Sequence, residues 1–156
     1  MRAVETLSRV LISGIFIAAG VEKVRNRSGT RRYMQSKNMP MIPGLLNGAI
    51  AMELGVAPVL ALGWRPRVFA PLLAAFLIPT SIIFHDFWNE EGSERKTQSA
   101  NFFKNMAITG GLLVIGLRDF EKSKSRSDVH RLEEFRPVNN EKRPDYLDQA
   151  QFDDVA

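Results

Sequence analysis

The hydrophobic positions of this chain fall into long runs, neither the alternation of a strand nor the narrow stripe of a soluble helix. The first run, TLSRVLISGIFIAAGVEKV, covers residues 6–24. Arg9 and Lys23 bracket its uncharged centre, and both are long enough to snorkel toward water. The second, IPGLLNGAIAMELGVAPVLAL, covers 42–62 and is interrupted by Glu53. The third, VFAPLLAAFLIPTSIIFH, covers 68–85 and has 18 residues without a formal charge. At about 1.5 Å per residue it nearly spans a hydrocarbon core of roughly 30 Å. The fourth, NFFKNMAITGGLLVIGL, covers 101–117.

A soluble four-helix bundle would need a polar face on each of these segments. The third has none, and the others carry Gly14, Ala18, Gly20, Gly55, Gly110, Gly111 and Gly116. The glycines are costly in soluble helices, whereas in a membrane all these small residues let helices approach closely. Pro58, Pro71 and Pro79 also suit kinked membrane helices. The expected fold is all-α: a transmembrane four-helix bundle over residues 1–117 with short loops, then a charged extramembrane C-terminal tail, 118–156. Nothing at the N-terminus reads as a cleavable leader, so the first segment is expected to be a retained helix.

The connections refine this picture. Residues 25–41 are basic and suit a short interfacial helix around 30–36, with Tyr33 and Met34 facing lipid. GWRPR, 63–67, forces an antiparallel hairpin, with Trp64 as an interface anchor. Residues 86–100, DFWNEEGSERKTQSA, read as a connecting loop. Four spans put both termini on one side of the membrane. Lysine and arginine divide evenly between the two sides, so charge does not choose the orientation. In the tail a short helix fits 125–135, and Pro137 and Pro144 break any helix beyond it. Phe135, Tyr146, Leu147 and Phe152 are spaced hydrophobes that would suit a peripheral protein partner or remain in a solubilising tail.

Composition narrows the chemistry. The 156 residues include no cysteine and two histidines, which excludes disulfides, thiolate metal sites and iron–sulfur ligation. No metal ligand set is assigned. His85 has no second histidine placed to share a haem. The net charge of +4 reads as membrane-flanking charge, and no nucleic-acid module accompanies it.

Several polar residues need an explanation. Glu53 lies near the middle of the second span, where a carboxylate must face the bundle and find a partner. Glu22 and Lys23, at the end of the first span, are candidates for a structural or proton-linked arrangement with it. His85 and Asp86 leave the third span where Lys104 and Asn105 enter the fourth. An Asp86–Lys104 pair completed by His85 and Asn105 is expected there, ringed by Phe84, Phe87, Trp88, Phe102 and Phe103. Such a cluster reads as a structural lock within an aromatic belt, or as a site for a quinone or lipid head group at His85, Asp86, Trp88, Lys104 and Asn105. No residue is assigned as catalytic.

RVLISGIFIAAGVEKV (9–24), YMQSKNMP (33–40), ELGVAPVLALGWRPR (53–67), and FHDFWN (84–89) followed by NFFKNMAITGGLLVI (101–115) resemble the DoxX-like family of small four-span membrane proteins. The resemblance covers about residues 5–117. The chain departs from the family pattern at Asn38-Met39-Pro40 and at Gly55-Val56. The resemblance implies a prokaryotic inner-membrane protein with cytoplasmic termini that serves redox machinery, the family name deriving from a subunit of thiosulfate:quinone oxidoreduction. It implies a non-catalytic accessory subunit of a respiratory-type electron-transfer complex, partnered by larger integral redox subunits. A quinone-linked oxidoreductase subunit with the head group near His85 is the alternative, and an oligomeric small-molecule transporter a further one. No covalently bound cofactor is expected; a quinone or a structural lipid is.

Overall fold

The computed structural model describes residues 2–134. Helix α1 runs Arg2–Arg25 and α2 runs Arg27–Ser36. Helix α3, Ile42–Ala51, continues through a π-helical turn, Met52–Val56, into α4, Ala57–Leu62. Helix α5 is Pro66–Phe84; a 3₁₀ turn, Phe87–Asn89, leads to α6, Gly92–Glu134. Among the described residues all regular structure is helical. Four helical stretches cross the membrane: Ala3–Arg25, Ile42–Leu62, Pro66–Asn89 and Gly92–Arg131. Only 17–28% of the residues in their most apolar windows are buried inside the protein, so most apolar side chains of the spans face lipid.

Local sequence fixes the element ends. Glu5 sits in the first turn of α1 and Lys23 and Arg25 in its last, each complementing the helix dipole. Pro43 and Pro66 open α3 and α5, where a missing N–H costs nothing. Gly63 ends α4 at φ 79°, and the N–H groups of Gly63 and Trp64 close back on the Leu60 and Val59 carbonyls. The resulting turn folds α5 back antiparallel to α4. Inside α5, around Pro79, the hydroxyls of Thr80 and Ser81 donate to the Phe76 and Leu77 carbonyls.

The core is small and lies between the spans: Phe16, Ala57, Leu60, Ala70, Leu73, Ala74, Leu77 and Leu112. The alanines let the α4 and α5 backbones approach, and dispersion between close-packed atoms supplies the cohesion that a hydrophobic force cannot supply in lipid.

Three expectations change. The 86–100 loop is mostly helix, because α6 already starts at Gly92. Met34 is buried, and Tyr33 stacks on Phe84 instead of lying free in lipid. The short tail helix proves to be the continuation of α6, unbroken to Glu134. Compact units are Met1–Ser123 and Lys124–Ala156; the described part of the second is helical, with exposed side chains over 124–131. Phe135, Pro137, Pro144, Tyr146, Leu147 and Phe152 lie outside the described residues.

Candidate functional site

The second span is where backbone and charge interact. Pro58 has no N–H to offer the carbonyl four residues back, and its ring crowds that position. Just ahead of it the helix widens: the Ala57 N–H reaches the Met52 carbonyl, an i→i+5 step. This π turn carries Glu53, whose side chain is only 4% exposed. Lys23 lies near the end of α1, and helical side chains lean toward their own N-terminus, here toward the bilayer centre. Its Nζ donates to Glu53 Oε1 at 2.7 Å. Oε2 is enclosed without a hydrogen-bond partner among the described residues. Gly20 makes the approach possible: a Cβ there would meet Glu53 Cβ at 2.9 Å and Leu54 Cγ at 2.7 Å.

Lys23 also lines a cleft of about 670 Å³ between α1, α2, α3 and α5. Its walls are largely apolar, with Leu45, Leu46, Ala49, Phe76 and Ile83 among them, and its polar groups are Glu22, Lys23, Asn26, Thr30, Tyr33, Thr80 and His85. Large apolar clefts with a few convergent polar groups are the usual form of small-molecule sites. His85 Nδ1 lies 2.8 Å from Gln98 Oε1, and Gln98 Nε2 donates to Glu94 Oε1 at 2.8 Å. That network orients the amide oxygen toward the ring and assigns the Nδ1–H tautomer to neutral His85. Nε2 is then the nitrogen free to accept a proton. The Tyr33 hydroxyl donates to the Phe84 carbonyl at 2.9 Å, leaving its oxygen able to accept.

The expected Asp86–Lys104 pair does not form. Asp86 Oδ1 is 2.5 Å from Lys37 Nζ, and Asp86 Oδ2 accepts from Asn89. Glu90 adds a second carboxylate 3.5 Å from Lys37. Lys37 sits at the C-terminal end of α2, which folds back under the exit of α5. The hydrogen bond to Asp86 raises the Lys37 pKa, and burial raises that of Tyr33. Lys104 is exposed and donates to Asn101, because it lies well inside α6 and not at its start. Asn105 is buried in the bundle, and its carbonyl accepts the Thr109 hydroxyl.

The expected four-membered cluster therefore separates. His85 faces the cleft, Asp86 locks α2 to the α5 exit, and Lys104 and Asn105 serve α6. Trp88 belongs to an edge-to-face aromatic group with Phe87, Phe102 and Phe103, in which Trp88 and Phe103 remain exposed. Phe84 leaves that group for Tyr33. The sequence reading missed Lys37, Gln98 and Tyr33 as partners. Among the described residues no three histidine, aspartate or glutamate side chains converge as a metal site.

A family model described as DoxX matches residues 5–86. The chain is 31% identical to inner membrane protein YphA of Escherichia coli (strain K12) over 113 residues, 71% of this chain and 79% of that protein. It is 30% identical to inner membrane protein YqjF of the same strain over 111 residues, 71% of this chain and 80% of that protein. No solved structure matches the chain significantly.

Proposed function

The chain belongs to the DoxX family, and we propose that it is a non-catalytic inner-membrane subunit that holds a membrane quinone for a larger electron-transfer partner. The observation that carries this reading is the cleft of about 670 Å³, apolar along its walls and bearing His85, Tyr33, Thr30 and Lys23 among its polar groups. An isoprenoid chain suits walls of leucine, alanine and phenylalanine. A ring with two opposed oxygens suits scattered donors better than a clustered site does. Lys23 is a fixed donor, and His85 Nε2 accepts from a quinol hydroxyl or, once protonated, donates to a quinone carbonyl. The electrons come from and return to the partner; this chain positions the ring. The inner-membrane location follows from the two bacterial relatives, and cytoplasmic termini complete the reading.

The test is purification in a mild detergent that keeps native assemblies intact, followed by mass spectrometry of co-purifying proteins and extracted quinones. The reading expects larger redox subunits and close to one quinone per chain. It expects His85→Ala to lower quinone retention about tenfold, the equivalent of one good hydrogen bond to a desolvated head group. Quinone content that is negligible, or unchanged by His85→Ala, refutes it.

A further inference from the structure

At the opposite end of α1 lies a second cleft, of about 300 Å³, between the start of α1, the start of α5 and the later turns of α6. We propose that it binds the phosphate head group of an anionic phospholipid, with one acyl chain following its floor.

The mouth is ionic. Arg9, Arg118 and Lys122 line it with two carboxylates, Glu5 and Asp119. Glu5 bridges the cations: its Oε1 is 3.3 Å from Arg118 Nη2, and its Oε2 is 2.6 Å from Lys122 Nζ. Asp119 is committed elsewhere, its Oδ2 accepting the Arg67 backbone N–H at 3.1 Å. Three cations thus face two carboxylates, leaving the mouth with a net positive charge. Arg118 and Lys122 keep half or more of their side-chain surface exposed, so both retain donors for another anion.

Arg9 adds an independent observation. Its Nη2 donates to Thr6 Oγ1, but its Nε is enclosed with no acceptor among the described residues. The guanidinium keeps its full positive charge beside the mouth, where it attracts an oxyanion held by Arg118 and Lys122. Ser8 lines the same wall; its hydroxyl donates to the Val4 carbonyl.

The floor chooses the source of the phosphate. Ile12, Gly111, Val114 and Ile115 continue the cleft inward. Ile12 is seven residues beyond Glu5, about 10 Å deeper along a helix. Inorganic phosphate would use the mouth and leave these walls unused, whereas a phospholipid matches both the charge at the interface and the hydrocarbon below it. The site is distinct from the quinone cleft in residues and in position, and does not rest on that reading.

The experiment uses the full chain, delipidated in a neutral detergent. Dioleoyl-phosphatidylglycerol, dioleoyl-phosphatidylcholine and inorganic phosphate are added separately, and bound lipid is read by native mass spectrometry alongside thermal unfolding. Phosphatidylglycerol at about ten times its Kd should leave one retained lipid and raise Tm by about 3 °C. Arg118→Gln and Lys122→Gln should each weaken that binding about fivefold. Both side chains are exposed, so the fold survives their loss. Lys96→Gln, an exposed cation near the start of α6, should leave the affinity unchanged. Equal retention of phosphatidylcholine, full reproduction of the shift by inorganic phosphate, or affinity indifferent to Arg118 and Lys122 would each overturn the proposal.

Discussion

Replacing Lys23 by Met removes the cation from Glu53 while preserving most of the side-chain volume. At 2.7 Å the pair's gross attraction is about 6 kcal/mol at an effective dielectric constant of 20. The net loss is set by what becomes of the stranded carboxylate, which is only 4% exposed. Breaking a buried pair from one side costs about 3–5 kcal/mol. Neutralising a carboxyl of ordinary acidity at pH 7 costs about 3.7 kcal/mol, which caps the penalty near that value. Lys23→Met should therefore lose about 3–4 kcal/mol at pH 7, a fall in Tm on the order of 10 °C. Lowering the pH to 5 should shrink the loss to about 1 kcal/mol, because neutralisation is then cheap. The double variant Lys23→Met/Glu53→Leu should return to within about 1 kcal/mol of the parent, since no charge is left buried. Thermal unfolding in detergent, followed by far-UV circular dichroism at both pH values, measures all of this. If the single variant loses less than about 1 kcal/mol, or the double variant is as unstable as the single, the pair does not hold α1 against the π turn.

Gly20→Leu places a side chain where even a Cβ meets Glu53 and Leu54 at under 3 Å; it should cost about 1–3 kcal/mol by overpacking, whereas Gly14→Leu, with open space around its Cβ position, should change thermal stability by less than about 0.5 kcal/mol. The lock beneath α5 carries an alkaline signature. Lys37 and Tyr33 both have raised pKa values in the fold, so each contributes stability that is fully present below its unfolded value and is lost as pH rises through the folded one. Tm measured from pH 8 upward should stay level until about pH 10 and then fall, and Lys37→Met should show a shallower fall; an identical alkaline slope in that variant would assign the transition to other groups.

The π turn shows how backbone and chemistry are tied in this molecule. A regular α-helix through residues 52–57 would rotate Glu53 relative to α1 and change its distance from Lys23. Pro58 withdraws a donor, the ladder takes an i→i+5 step, and the carboxylate stays in the bundle. In apolar surroundings that placement separates a charge paired with Lys23 from one exposed to hydrocarbon.

Sequence alone determined the number of spans, their approximate limits and the all-α class. Hydropathy is a local property, and in lipid a backbone must bond to itself, so an apolar run of sufficient length has one structural outcome. Glu53, Glu22 and Lys23 were also legible as residues needing an explanation, because a charge inside an apolar run is conspicuous whatever surrounds it. Partners were a different matter. Asp86 pairs with Lys37, 49 residues earlier, because α2 folds back beneath the α5 exit. His85 meets Gln98 because α6 begins nine residues before the apolar run that announced it. The clefts combine side chains from three or four elements. Membrane insertion is written in consecutive residues; the pairing of charges at the ends of the spans depends on helix rotation and on where each helix starts, which packing alone decides.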